Sequence, residues 1–372
     1  MSAKIRILHM IGSLGIGGSQ AFVMNIYRKI DRNRVQFDFI VDSPENNHYV
    51  DEIERMGGKV YYFPKFNGKN YFKIRRFWTH FLEEHKEYQV LHSHVRSYAS
   101  IYLPIATSLG LRTIIHSHSN SNGKGLLALG KSILQLPLRF QADYYMACSQ
   151  EAGEWLFGKK ICHSEKFRVI NNAIDVDDFV FCEQNRERTR SELSLKDEFV
   201  LGYLARVTAP KNPLFVIDVM DELVKMIPNA KLLFVGDGEL LTAVREKVEA
   251  LGIQKNVIIT GARTDVSHLL AAMDCYILPS FWEGLGISLI EAQAAGLPCI
   301  CSDGIQDEAV VTDLVSRYPL SLGPKTWAEK ISSSKEIRTR PNVADKIKMA
   351  GFDIVKNTDM LQGFYEKLCG KE

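Results

Sequence analysis

The sequence predicts an α/β protein with two parallel-sheet, Rossmann-like domains, and three observations carry that reading. Short β-rich runs alternate with helical stretches, the pattern of βαβ units. The alternation breaks near the middle of the chain and starts again. The 372 residues, 46% hydrophobic and 24% charged, are enough to build two separate cores.

The first run, KIRILHMI (4–11), reads as a buried strand. It leads into a glycine-rich turn, Gly12 to Gly18, and an amphipathic stretch, SQAFVMNIYRKI. VQFDFIVD (35–42), GGKVYYFP, YQVLHSH and RTIIHSH follow as strands after helical stretches, and ADYYMACS (142–149) is expected to close the first series. The second series comprises EFVLGYLARV (198–207), AKLLFVGDG (230–238), NVIITGA (256–262), CYILPS (275–280) and LPCICSD (297–303). The junction falls near VINNAIDVDDFVF (169–181). Domains are therefore expected at 1–172 and 173–352. The tail 353–372 places Leu361, Phe364, Tyr365 and Leu368 at helical spacing and is expected to form a helix. Two parallel sheets facing one another across a cleft would bind ligands outside the carboxyl ends of their strands.

Composition narrows the function. Lys plus Arg number 46 against 44 Asp plus Glu, a net charge of +2 that gives no pull toward nucleic acid. The seven cysteines are odd in number and include no CxxC, so they read as small buried hydrophobes in a reducing compartment. No signal-peptide h-region and no apolar run near the roughly 18 residues of a membrane span is apparent. A cytoplasmic protein is expected.

The residues just after the strands carry the chemistry. SFWEGLGISLIEAQAAGLPCI (280–300) holds Glu283 and Glu291 with seven residues between them. A helix is expected to start near Gly284–Gly286 and stop at Gly296, with its free N–H groups facing an anion. Eight residues of helix rise about 12 Å, close to the span from a sugar across a diphosphate to a ribose. Glu283 would then bond sugar hydroxyls and Glu291 ribose hydroxyls, with the backbone of Gly284, Leu285 and Gly286 near the phosphates. Two surface glutamates are the competing reading. In LARVTAPKNP, Arg206 and Lys211 can grip a diphosphate, each contact at 4 Å being worth on the order of 4 kcal/mol before desolvation. Substituting Lys211 by Ala is expected to cut turnover and leave folding intact. GSLGIGGSQ is not GxGxxG, because Gln20 stands where the last glycine belongs, yet Gly17 and Gly18 allow close backbone approach.

VLHSHVR and IIHSHSN each end a strand in His-Ser-His: His92 and His94, then His116 and His118. Each pair projects from one face of its strand, with the serine on the other. No Asp or Glu accompanies either pair, so hydrogen bonding to a sugar or phosphate is expected rather than metal binding, with a structural role as the alternative for His92 and His116. Asp175–Asp177 matches a metal-binding DxD but lies in the expected junction and is set aside.

Together these residues resemble glycosyltransferase family 4, the retaining enzymes of the GT-B fold. EGLGISLIE is similar to that family's E-x7-E. Arg206 and Lys211 stand where its Arg and Lys flank the donor diphosphate, with Ala205 replacing a common glycine. VGDG, with Gly236, and ITGARTDV, with Arg263, resemble its segments near the nucleotide base. RVINNAID resembles its PNGID junction, with Asn172-Ala173 for Asn-Gly. GGSQAFVMNIYRKID and FWEGLGISLIEAQAAGLPC look most like members that build capsular or exopolysaccharide.

The resemblance implies that the C-terminal domain binds a nucleoside-diphosphate sugar, a UDP-sugar, and the N-terminal domain a glycan or lipid-linked glycan. It also implies no cofactor, no metal, and a final helix crossing back to the N-terminal domain. His118 best matches the histidine near the reacting sugar. His94 and His116 are expected beside the acceptor. KNYFKIRRFWTHFLEEHK (69–86) and GKGLLALGKSILQLPLRF (123–140) interleave cations with apolar residues and could rest on the inner face of an anionic membrane, where a lipid-linked acceptor waits. Inward-packing helices with solvated cations are the alternative. A non-catalytic nucleotide-sugar or glycan-binding protein on the same fold is the main rival. An NAD-dependent oxidoreductase or epimerase is a weaker one, for want of the glycine fingerprint.

Overall fold

The computed structural model describes residues 4–15, 17–43, 48–118, 132–283, 285–334 and 339–370. The chain divides into two compact units, Met1–Ala173 with Ile354–Glu372, and Ile174–Asp353. Each boundary lies one residue beyond its expected place. Ile174 forms a parallel bridge with Asp353, and its N–H donates to Phe352 O at 3.1 Å, so the two crossing strands of chain are tied to each other at the switch.

The first unit holds β1 (Ile5–Ile11), β2 (Val35–Val41), β3 (Val60–Tyr62), β4 (Tyr88–Ser93), β5 (Arg112–Ser117), β6 (Tyr144–Ala147) and β7 (Phe167–Val169). Their order is β3-β2-β1-β4-β5-β6-β7, and the paired strands are parallel. The second unit holds β8 (Val200–Leu204), β9 (Lys231–Val235), β10 (Val257–Gly261), β11 (Cys275–Leu278), β12 (Cys299–Ser302) and β13 (Val315–Tyr318), in the order β10-β9-β8-β11-β12-β13. In both sheets the order reverses beside the first strand, between β1 and β4 and between β8 and β11. Crevices at the carboxyl ends of strands open at such switch points.

Two strands, β7 and β13, were not anticipated, and ADYYMACS does not close the first series. FRV and VSRY are edge strands of three and four residues, each carrying an arginine. Edge strands are short and charged because one side of their backbone stays unpaired. The central strands, by contrast, are mostly apolar because helices cover both faces of a parallel sheet. β2 shows the cost of a polar intruder. Asp38, fully buried, is held by a two-pronged bond from Arg6 (2.6 Å each), by Tyr88 Oη (2.9 Å) and by the N–H of Lys59 (2.7 Å).

The C-terminal helix, Ile354–Leu368, belongs to the first unit, as the family resemblance implies. Ile354, Leu361, Phe364 and Tyr365 enter the core formed by β1, β2 and the helix Gly18–Lys29. Arg34 pairs with Glu366 at 2.7 Å. Phe352, two residues before the helix, stays in the core of the second unit.

Candidate active site

In the second unit, the loops after β8 and β11 meet. The N–H of Phe281 donates to Pro210 O at 2.8 Å, which draws the two loops together. Lys211 sits in a single 3-10 turn, Ala209–Lys211, ended by Asn212 in the left-handed conformation (φ 52°). Its ammonium forms an ion pair with Oε2 of Glu283. Oε1 of the same carboxylate accepts from Ser280 Oγ at 2.8 Å. Glu283 is only 4% exposed. It is therefore a buried, doubly held carboxylate, and the reading of it as a surface glutamate fails. Ser280 went unmarked in the sequence because a serine ending a strand has no signature of its own.

The helix starts later than expected, at Ile287, and ends at Ala294. Gly286 precedes it in the left-handed region (φ 75°, ψ 52°), a conformation that disfavours any residue with a Cβ. Glu283 lies in the loop and not on the helix, so the separation of the two acids is not a 12 Å helical rise. Glu291 stands in the second turn of the helix, part-buried, and desolvation pushes its pKa up to about 8. No hydrogen-bond partner holds its carboxyl among the described residues. Gly284 lies outside those residues. Leu285 is half-buried, and Tyr276 Oη bonds Ser288 Oγ (2.8 Å) and Leu204 O (3.1 Å), which fixes the helix start against β8.

Arg206 is exposed in the loop after β8. That loop is pinned to the turn after β9 by Ala205 N–H to Val235 O (3.2 Å) and Val207 N–H to Asp237 O (2.9 Å). Gly236 has φ 144°, and a Cβ there would lie 2.0 Å from Ala205 O. The glycine is thus demanded by the chain's own packing. Arg263 is held in a fork by Asp265 (2.6 and 2.7 Å) on the surface. Asp177 of the set-aside DxD pairs with Lys348 at 2.7 Å, a structural role.

In the first unit, the helix after β1 begins at Gly18, with Gly17 extended before it. A Cβ at Gly18 would meet nothing within 4 Å, so internal packing does not require a glycine there. The histidine pairs do share one face, and the sheet adds a fifth ring, His9 of β1, which aligns with His92 of β4. His92 and His116 are fully buried, and His9 and His94 nearly so. His118 is half-buried. Two chains of bonds link them: His9 Nδ1 to His94 Nε2 (3.0 Å) and His94 Nδ1 to His118 Nε2 (2.8 Å), then Tyr365 Oη to His92 Nδ1 (2.6 Å) and His92 Nε2 to His116 Nδ1 (3.2 Å). Burial keeps the rings neutral, lowering His9 and His118 to about 3 and the other three well below their ordinary value. His9 was missed in the sequence, although a lone histidine inside the apolar run IRILHMI was a visible signal.

Of the two expected membrane stretches, the helix Tyr71–Glu84 buries Ile74, Trp78, Phe81 and Leu82. It leaves Phe72 82% exposed, alongside exposed Phe77, Lys73, Arg75 and Arg76. Residues 123–131, with Lys124 and Lys131, lie outside the described residues. Beyond them Leu138 is buried, while Ile133, Leu136 and Phe140 are exposed. Among the described residues no helix is long and apolar enough to cross a membrane.

Comparisons with known proteins bear on the family and the fold. The profile of Glycosyltransferase Family 4 matches residues 16–178, and that of Glycosyl transferases group 1 matches residues 185–347. The chain is similar to EpsF of Bacillus subtilis (strain 168), which bears the name of a glycosyltransferase, at 28% identity over 374 residues, 98% of this chain and 97% of EpsF. It is 24% identical over 375 residues to CapH of Staphylococcus aureus, named as a capsular polysaccharide biosynthesis glycosyltransferase, covering 97% of this chain and 98% of CapH. The structure of Anabaena HepE in complex with UDP and glucose has a TM-score of 0.78 at 17% identity over 98% of this chain and 100% of HepE, a likeness of fold. With one profile on each unit and two sheets of the matching order, the chain belongs to the family 4 glycosyltransferases of the GT-B fold.

Proposed function

We propose that this enzyme moves a hexosyl group from a nucleoside-diphosphate sugar, a UDP-sugar, to a glycan or lipid-linked glycan in cell-surface polysaccharide synthesis, with retention of configuration. The observation that carries the donor site is the buried Glu283 carboxylate, paired with Lys211 and aimed by Ser280 at the carboxyl end of β11. Glu283 takes sugar hydroxyls. Arg206, Lys211 and the N–H groups at the start of the helix Ile287–Ala294 take the departing diphosphate, a charge that preorganised donors stabilise without a metal. Glu291, largely protonated at neutral pH, can donate to one ribose hydroxyl and accept from the other. His118 takes the place nearest the transferred sugar, and His94 and His116 lie toward the acceptor. The leaving phosphate itself accepts the proton of the incoming hydroxyl. HepE, with UDP and glucose bound, and CapH, by its name, support a UDP donor and a polysaccharide product.

Transfer and hydrolysis measured across a panel of nucleotide sugars test the reading. Turnover of at least one UDP-sugar is expected, with the anomeric configuration of the product unchanged. Binding of nucleotide sugars without turnover of any would favour a non-catalytic binder. NAD should not bind.

The exposed Phe72 and Phe77 among Lys73, Arg75 and Arg76, with Ile133, Leu136 and Phe140 on the same unit, support peripheral contact with an anionic bilayer. Co-sedimentation with anionic liposomes is expected at low salt and should fall as salt rises. Absence of binding at low salt would remove the membrane contact.

A further inference from the structure

The histidine cluster holds more than a sugar contact needs. Three adjacent parallel strands, β1, β4 and β5, bring five neutral imidazoles to one face of the sheet, with neighbouring ring centroids 4.2–5.4 Å apart. Two sets of three each offer nitrogens within 4.8 Å of one another: His9, His92 and His94, and His94, His116 and His118. The bonds among the rings do not satisfy the cluster. Nε2 of His116 and Nδ1 of His118 are buried and have no partner among the described residues, nor has Nε2 of His9. Each such orphan costs about 1–3 kcal/mol when buried. The chain tolerates three of them on one sheet face.

We propose that His94, His116 and His118 form a binding site for a borderline transition-metal ion of the Zn2+ class. Neutral imidazole suits Zn, Ni, Cu and Co, whereas Mg and Ca prefer oxygen. Of the two sets, this one includes the half-buried His118, through which an ion can enter. The other is closed, and His92 already spends both ring nitrogens on Tyr365 and His116. His92 therefore serves as an outer partner. It engages Nδ1 of His116 and leaves Nε2 as the free ligand atom, the arrangement that orients histidines at metal centres. His9 does the same for His94 by holding Nε2, so that Nδ1 is the nitrogen His94 can give. On binding, His94 and His118 exchange their mutual hydrogen bond for the ion. Three neutral ligands leave the charge of a divalent ion uncompensated, so the open fourth position takes hydroxide or another anion. All of these ligands lie in the first unit, and the site stands whether or not His118 also faces the donor sugar.

The test uses untagged full-length protein, stripped with a chelator and dialysed against Zn2+ or Co2+. One ion per chain should be retained, and the Co2+ form should show the intense visible bands of a four-coordinate site. His116→Asn and His118→Asn should weaken retention at least about tenfold, and His92→Asn by about 10–100-fold, as loss of an outer partner does. Because a core variant may fail to fold, X-ray absorption on the wild-type Zn2+ form provides a second measurement. A nitrogen shell at about 2.0–2.1 Å is expected, and sulfur at about 2.3 Å would overturn the proposal by assigning the ion to cysteine. Retention by wild type no greater than by the folded His94→Asn/His116→Asn/His118→Asn variant would overturn it as well.

Discussion

At the scale of single residues, the pair Lys211–Glu283 changes what a substitution can be expected to do. Lys211→Ala removes the counter-charge of a carboxylate that is 4% exposed, and an unpaired buried charge costs about 3–5 kcal/mol. The single variant should therefore lose stability as well as activity, contrary to the expectation from sequence that folding would be untouched. The double variant Lys211→Met/Glu283→Gln removes both charges. Its thermal midpoint should recover most of the loss, while turnover stays down by about 10²–10³-fold, the usual cost of an electrostatic contact to the developing charge. Transfer at the wild-type rate by that folded variant would refute the donor assignment. Glu291 gives a prediction in pH. Its folded pKa of about 8 stands above the ordinary 4.5, so between those values the folded chain keeps a proton that the unfolded chain has released. Stability conferred by the protonated group is complete below pH 4.5 and is lost as pH rises toward 8, at no more than about 1.4 kcal/mol per pH unit. Glu291→Gln removes this dependence, so its advantage in urea over wild type should grow from pH 5 to pH 8. A constant difference would mean that the carboxyl is not desolvated.

At the scale of elements, the segments after β8 and β11 carry Arg206, Lys211 and Glu283, and the backbone sets them. The turn after β9 approaches the loop of Arg206 so closely that only glycine fits at 236. Gly236→Ala should cost about 1–3 kcal/mol by forcing that loop outward, and should weaken UDP binding in calorimetry. Unchanged binding and stability would show that the loop relaxes freely. The strands of the interior were legible as apolar runs, because covering both faces of a parallel sheet leaves little room for polarity. β7 and β13 were not, since an edge strand of three or four residues with an arginine carries neither a run nor an alternation. The late start of the helix at Ile287 was equally hidden. Two glycines flanking Leu285 permit several starting points, and the choice is made by Tyr276 reaching Ser288 and Leu204 from the neighbouring strand.

At the scale of the whole molecule, the chain crosses from the first unit to the second and returns, and the returning helix is part of the first unit's core. Tyr365, fully buried, bonds His92, and Ile354, Leu361 and Phe364 pack beside β1 and β2. Truncation after Asp353 should therefore open the first unit, read as loss of amide protection in β1, β2 and β4, while β8, β9 and β11 keep theirs. Equal protection in both units would show that the helix is dispensable. The sequence by itself determined the two α/β units and the helical period of the tail, because hydrophobic period is a local property. Only the tertiary structure decided which residues are joined. The burial of Glu283 against Lys211 and the meeting of five histidines from three strands depend on strand order, and strand order brings together residues that lie tens of positions apart in the chain.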